Sequence, residues 1–218
     1  MNVMIAEELL LLAYSEEEGK PLVSGTQVDT ALGGAVLAEL AILGRVSLEG
    51  KKVVLQDSTP VGDDELDSAL TKIAESRTER KPDWWVYKFY TSKLRQRLLT
   101  RLAERGVLSE ERVKVLGFIP LNRYPERDPS IEQAVRARVT DVLGGAEPDE
   151  RVAVLLSLLK ACRLDRKAFP DADKQRIKEI TEGEWAGAAV KKTIDSINAV
   201  VIVTVTTGVI VGTAGGGS

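Results

Sequence analysis

The sequence predicts a mainly α-helical fold carrying two short β-hairpins, and three observations predict it. Apolar residues recur at helical spacing through most of the chain, as in Val28, Ala31, Leu32, Ala35, Val36, Leu40 and Leu43. Helix-stopping signals close these stretches at Gly44, at Gly106 and at the breaker GGAEP (144–148). Only two places break into short β-prone runs about a turn, residues 45–56 and 107–125. The 218 residues support one large domain or two small ones, and aromatics are only 5%, so Leu, Val, Ile and Ala must fill the core.

Taken in order, Val3 to Ala13 reads as a helix, apolar on nearly all sides at Leu9 to Leu12, and ends at the charged loop SEEEGKP. A second helix spans Thr26 to Leu43. Glu39 falls about 20° from Val28 on its apolar arc at 100° per residue, so a buried ion pair is expected there in preference to a catalytic acid. Arg45 to Gln56 forms a hairpin about Glu49-Gly50-Lys51. Pro60 and Gly62 then make a turn, and Asp63 or Asp64 caps a third helix. The acidic cluster Asp63, Asp64, Glu65 and Asp67 is explained by that positive helix end more simply than by a metal. The charged connector SRTERKP leads to DWWVYKFY, which gathers five aromatics beside Lys and Arg, as an interfacial surface or a partly exposed core edge does.

A basic helix follows, from Lys93 to Gly106. Lys93, Arg97, Arg101 and Arg105 drift through one sector of about 120°, with Leu94, Leu98, Leu99 and Leu102 opposite. Arg95 sits among the leucines. It needs an anion, either a buried carboxylate such as Glu39 or a ligand phosphate. The hairpin after Gly106 has an apolar, turn-like tip at Leu116, Gly117, Phe118 and Ile119, which either projects or folds back into the core. Ser130 to Leu143 and Asp149 to Cys162 read as a helix pair. Another helix, polar throughout, starts at Phe169-Pro170-Asp171 and runs to Glu182. From Ser196 onward no residue is charged, and a buried terminal helix is favoured over a membrane span because Ser, Thr, Asn and Gly dilute the run. Residues 1–212 are expected to form the domain and 213–218 a disordered tail.

The composition excludes several classes of chemistry. There is no histidine and one cysteine, so no Ser-His-Asp or Cys-His hydrolase and no zinc site can be built. Cys162, in an apolar run, reads as a buried structural thiol in a reducing compartment. No cofactor, metal or catalytic residue is expected, and no enzyme. The N-terminus turns acidic too early for a signal peptide. Net charge is −3 overall, but residues 72–105 hold ten Lys/Arg against four Asp/Glu. A cationic helix beside an apolar hairpin tip suits a protein that touches anionic lipid. A non-enzymatic protein scaffold without a specific lipid is one alternative. A winged-helix regulator is the other, since 37–57 and 99–118 share a helix–Gly–strand–turn–strand pattern. Thr26 to Leu43 lacks the Lys or Arg that would face phosphates, and nucleic acid is not expected as a partner.

EELLLLAYSEEEGK, LAELAILGRVSLE, DSTPVGDDELDSALTKI and LRQRLLTRLAERGVL, in that order, resemble the Golgi phosphoprotein 3 (GPP34) family over nearly the full length. The resemblance implies a single helical domain, a central bundle ringed by amphipathic helices and hairpins. It further implies a cytoplasmic peripheral protein on the inner face of a membrane, binding phosphatidylinositol 4-phosphate as an adaptor for protein clients. The family's headgroup pocket, a tryptophan and three arginines, corresponds here to Ser24, Gly33, Ser92 and Arg95. The last alone keeps its residue. Expected headgroup contacts are thus Arg95, with Lys93, Arg97 and Arg101 near it. The expected membrane-entering hairpin residues are Val115, Leu116, Phe118, Ile119 and Leu121. Short loops and an Ala/Val/Gly-rich tail resemble a bacterial member.

Overall fold

A computed structural model describes residues 3–115, 118–183 and 186–214. Among the described residues, ten helices and two antiparallel hairpins follow in the order α1 (Ile5–Ala13), α2 (Gly25–Ile42), β1 (Val46–Glu49), β2 (Lys52–Leu55), α3 (Asp64–Ala74), α4 (Pro82–Phe89), α5 (Ser92–Glu104), β3 (Glu111–Val115), β4 (Ile119–Arg123), α6 (Ser130–Leu143), α7 (Glu150–Ala161), α8 (Asp165–Ala168), α9 (Lys174–Glu182) and α10 (Ala188–Ala214).

Helix α2 is the axis. Ser24 caps it, its hydroxyl accepting the Gln27 N–H while Gln27 Oε1 accepts the Ser24 N–H. Every residue from Val28 to Ala41 is buried. The sequence suggests a one-sided apolar arc, but the opposite side is covered as well. Its small residues let neighbours in: a Cβ on Gly33 would lie 2.6 Å from the Val86 carbonyl of α4, and one on Gly34 3.0 Å from Val201 of α10. Helices α1, α4, α7 and α10 pack around this axis, and α3 and α5 also touch it. Because α2 is enclosed, it cannot serve as the recognition helix of a winged-helix module.

The ring elements follow from local signals. Asp63 caps α3 by accepting the Glu65 and Leu66 N–H groups, and Asp67 accepts those of Val61 and Gly62, so the acidic cluster is a turn-and-cap device. The aromatic segment is helix α4, opened by Pro82, with Trp85, Val86 and Phe89 buried. In the first hairpin Glu49 pairs with Lys52 about a Gly50 whose φ is +61°, as a tight two-residue turn requires. Cys162 is buried, which pushes its thiol up to about 12.

Two expectations are corrected. The helix expected from Phe169 begins later, as α9 at Lys174, because Asp173 caps it by accepting from Gln175 and Arg176, while the short α8 ends before Phe169. Nor is α9 polar throughout: Ile177, Ile180 and Thr181 are buried. The uncharged C-terminal run lies within α10, which buries Ile194, Ile197, Val201 and Val205. No helix among the described residues is long and apolar enough to cross a membrane. Residues 215–218 of the expected tail lie outside the described residues.

Candidate anion-binding site and exposed hairpin

Helix α5 turns its leucines inward and divides its cations between two sides. Thr91 caps the helix through the Leu94 N–H, and Leu94, Leu98, Leu99 and Leu102 are buried. Arg95 lies about 160° round the helix from both Lys93 and Arg97 at 100° per residue. It therefore reaches a different environment.

Arg95 points at the start of α2. Its Nη1 would lie 2.7 Å from a Cβ on Gly25, and its Nε is 3.3 Å from Asp29 Oδ1. The partner is a buried carboxylate, as one of the two expectations has it, but Asp29 and not the example Glu39. Glu39 is held elsewhere, by Arg151 at 2.8 Å and by the Ile5 N–H at 2.6 Å, where it closes the start of α1. Asp29 is buried, and Oδ1 accepts no hydrogen bond from the described residues. Burial pushes its carboxyl above the usual range, and the Arg95 charge pulls the other way. Tyr14, opposite, is pushed up to about 12 by burial, with Arg95 again opposing. The Arg95 side chain keeps 22% exposure. Asp29 thus meets the Arg95 guanidinium on one side, and the exposed remainder of the side chain lies beside the start of α2, whose positive end favours an anion.

The other α5 arginines are committed. Arg97 grips Glu65, with Nη2 2.7 Å from Oε2. Arg101 donates at 2.8 Å to both Glu7 and Asp63, and Arg105 at 3.3 Å to Glu7. The reason is the acidic start of α3 and the buried glutamate of α1, which meet this side of α5. Lys93 is exposed and has no ion-pair partner among the described residues; it lies with Lys72, Lys88 and Arg97 around a small pocket of about 180 Å³. So Arg95 and the expected trio Lys93, Arg97 and Arg101 are not brought together.

The family-pocket positions separate likewise. Ser24 and Ser92 are exposed, Ser24 directly beside the Gly25–Arg95 contact. Gly33 lies against the α4 backbone and leaves no room for a longer side chain.

The second hairpin stands close to the Arg95 corner at its base. Tyr124, which follows β4, packs edge-to-face on Tyr14 with ring centroids 6.4 Å apart, and its hydroxyl receives a hydrogen bond from Gln96 of α5. The Tyr124 N–H donates to Gly19. Gly19 has a φ of +58°, and a Cβ there would strike the Tyr124–Pro125 backbone at 2.2 Å. Beyond the base β3 and β4 pair chiefly with each other, Val113 opposite Leu121 and Val115 opposite Ile119 in backbone register. Phe118 is 74% exposed and Leu121 45%, so the part of the tip they represent projects. Leu116 lies outside the described residues, and Val115 and Ile119 are described only in their backbone. Arg112 and Lys114 are exposed on β3.

Sequence reasoning missed Asp29, Tyr14, Gly25 and Tyr124. Asp29 had a signal: it is a carboxylate on the same apolar helix as Glu39. The others become neighbours only through the fold. Among the described residues no group of three or more His, Cys, Asp or Glu could hold a metal.

Two curated proteins are similar to the chain, both called vacuolar protein sorting-associated protein 74. The one from Eremothecium gossypii is 25% identical over 65% of this chain and 49% of its own length. The one from Schizosaccharomyces pombe is 27% identical over 65% of this chain and 48% of its own length. The chain thus spans about half the length of these relatives. The family model described as Golgi phosphoprotein 3 (GPP34) matches residues 5–197, nearly the whole helical fold, and the chain belongs to that family.

Proposed function

We propose that this protein is a peripheral membrane adaptor that docks on anionic phospholipid. Arg95 takes a headgroup phosphate at the start of α2, and the second hairpin puts its tip into the bilayer. The observation that carries this reading is the exposure of Phe118 on a hairpin whose base, through Tyr124 and Tyr14, adjoins the Arg95 corner. A role in sorting agrees with the names of the fungal relatives. No catalytic step is needed.

Magnitudes bear on which lipid is bound. Each buried Phe or Leu side chain contributes about 1.5–3 kcal/mol, and each cation near an anionic surface about 1 kcal/mol. Phe118, Leu121, Arg112 and Lys114 therefore supply reversible attachment. A headgroup pocket with one guanidinium in place of three forgoes about 1.5–3 kcal/mol for each missing charged hydrogen bond. Strong preference for phosphatidylinositol 4-phosphate is not expected; preference for anionic over neutral lipid is.

Liposome flotation tests this at two salt concentrations. The protein should float with vesicles containing phosphatidylserine or phosphatidylinositol 4-phosphate and stay down with phosphatidylcholine alone. Raising salt should reduce the floated fraction. Phe118→Ser with Leu121→Ser should abolish flotation while leaving the circular dichroism melt unchanged, since both residues are exposed. Undiminished flotation of that double variant would remove the hairpin from the mechanism.

A further inference from the structure

A second surface is independent of Arg95 and the hairpin. Helices α4 and α10 leave between them a groove of about 480 Å³, floored by Tyr87, Ala199, Val200 and Val203 and rimmed by Lys51 and Lys81. Tyr87 is 51% exposed, and its hydroxyl meets that of Thr204 across the groove at 2.9 Å. Beside it, Trp84 is 39% exposed and carries two cations over its ring, Arg80 at 5.4 Å and Lys88 at 5.7 Å. Lys88 also borders the small pocket that holds Lys72 and Lys93, so one strip continues from α10 across α4 to α5. Lys51, Arg80, Lys81, Lys88 and Lys93 are all exposed and make no ion pair among the described residues. The groove's acid, Asp83, accepts the Trp84 N–H at the start of α4.

We infer that this groove docks an acidic amphipathic peptide segment of a partner protein. An apolar floor between cationic rims is complementary to a helix that has apolar anchors on one side and carboxylates on the other. A bilayer fits less well, because lipid meets projecting side chains such as Phe118, whereas a concavity must be filled by side chains that enter it. Trp84, held flat under two cations, offers a rigid aromatic anchor of the kind that dominates interfaces. The inference extends the proposed adaptor role from a lipid partner to a protein partner of stated chemistry, and it rests on different residues.

Fluorescence anisotropy of the full chain with a labelled model peptide tests it, the peptide carrying leucine on one helical face and glutamate on the other. The glutamate peptide should bind, and the same peptide with lysine for glutamate should bind at least tenfold more weakly. Lys51→Glu with Lys81→Glu should weaken binding about tenfold and make it less sensitive to salt. Ala199→Glu, at an exposed position, should do the same by placing a carboxylate in the groove, and both variants should melt as the unaltered protein does. Phe118→Ser should bind the peptide normally, which separates this surface from the hairpin. Absence of binding, equal binding of the lysine peptide, or indifference to both groove variants would overturn the inference. So would loss of flotation on phosphatidylserine vesicles in the Lys51→Glu, Lys81→Glu variant together with displacement of the peptide by those vesicles, since the surface would then be a membrane contact.

Discussion

Arg95 holds two roles in one side chain, and they can be separated. It is the counter-charge of buried Asp29, so deletion would strand a carboxylate and confuse loss of binding with loss of fold. Arg95→Lys keeps the positive charge near Asp29 but loses the planar fork that grips a phosphate with two parallel hydrogen bonds. This variant should melt within a few degrees of the unaltered protein. Its affinity for vesicles containing phosphatidylinositol 4-phosphate should fall about tenfold, equivalent to about 1.4 kcal/mol. If the melting temperature collapses while vesicle binding by the folded fraction persists, Arg95 is a structural ion-pair partner alone. The residue scale is also where the sequence was least informative. An Arg among leucines announces that an anion exists, but not which one. Asp29 and Glu39 stand ten residues apart on the same enclosed helix, and only the packing of α5 and α7 on different sides of α2 assigns one acid to each arginine.

At the scale of elements, much was legible because local physics sets boundaries. Gly44, Gly106 and the GGAEP breaker end helices, Asp63 and Asp149 start them, and Ser130–Leu143 was read at its actual bounds. The cap at Asp173 was missed because Phe169-Pro170-Asp171 offers an equally good start one turn earlier. The enclosure of α2 was missed because small residues look neutral in a periodicity count and reveal their purpose only when another backbone arrives. Junctions between elements were likewise hidden. Glu132 of α6 is buried and bonds to Arg136 at 2.6 Å, and Arg136 also reaches Glu16 in the loop after α1 at 3.2 Å. Burial raises the Glu132 carboxyl to about 7; Arg136 opposes this, and Glu126 and Glu16 add to it. A carboxyl raised in the folded state contributes stability that is full below its unfolded value and is lost as pH rises to the folded value. This junction should therefore weaken between about pH 4.5 and 7, by an amount on the order of 2–3 kcal/mol. Urea denaturation at pH 5.5 and 7.5 should show higher stability at the lower pH from this group. Glu132→Gln, which cannot ionise, should flatten the slope; an unchanged slope would mean that other carboxyls set it.

Across the whole molecule, three buried acids of α1 and α2 are met by bases from other helices. Buried Glu7 and Glu8 of α1 and Glu39 of α2 meet Arg101 and Arg105 from α5, Arg138 from α6 and Arg151 from α7. The ion pairs thus link helices far apart in sequence, and each pairing fits only one arrangement of the ring. Desolvation offsets much of their attraction, so their contribution is better measured as coupling than as total stability. Arg151 bridges α1 and α2, donating to Glu8 at 3.1 Å and to Glu39 at 2.8 Å, and also to the Val3 carbonyl. Arg151→Met keeps most of the volume and should cost about 3–5 kcal/mol, because two buried carboxylates lose a partner. Glu39→Gln alone should cost less, since its amide oxygen can still accept the Ile5 N–H. Combined, the two substitutions should cost clearly less than the sum of the singles, because the second removes the charge that the first strands. Denaturant midpoints of the four proteins in this cycle give the coupling directly. Strict additivity would mean that Arg151 and Glu39 do not couple, and Arg151 would then act through Glu8, the Val3 carbonyl and packing.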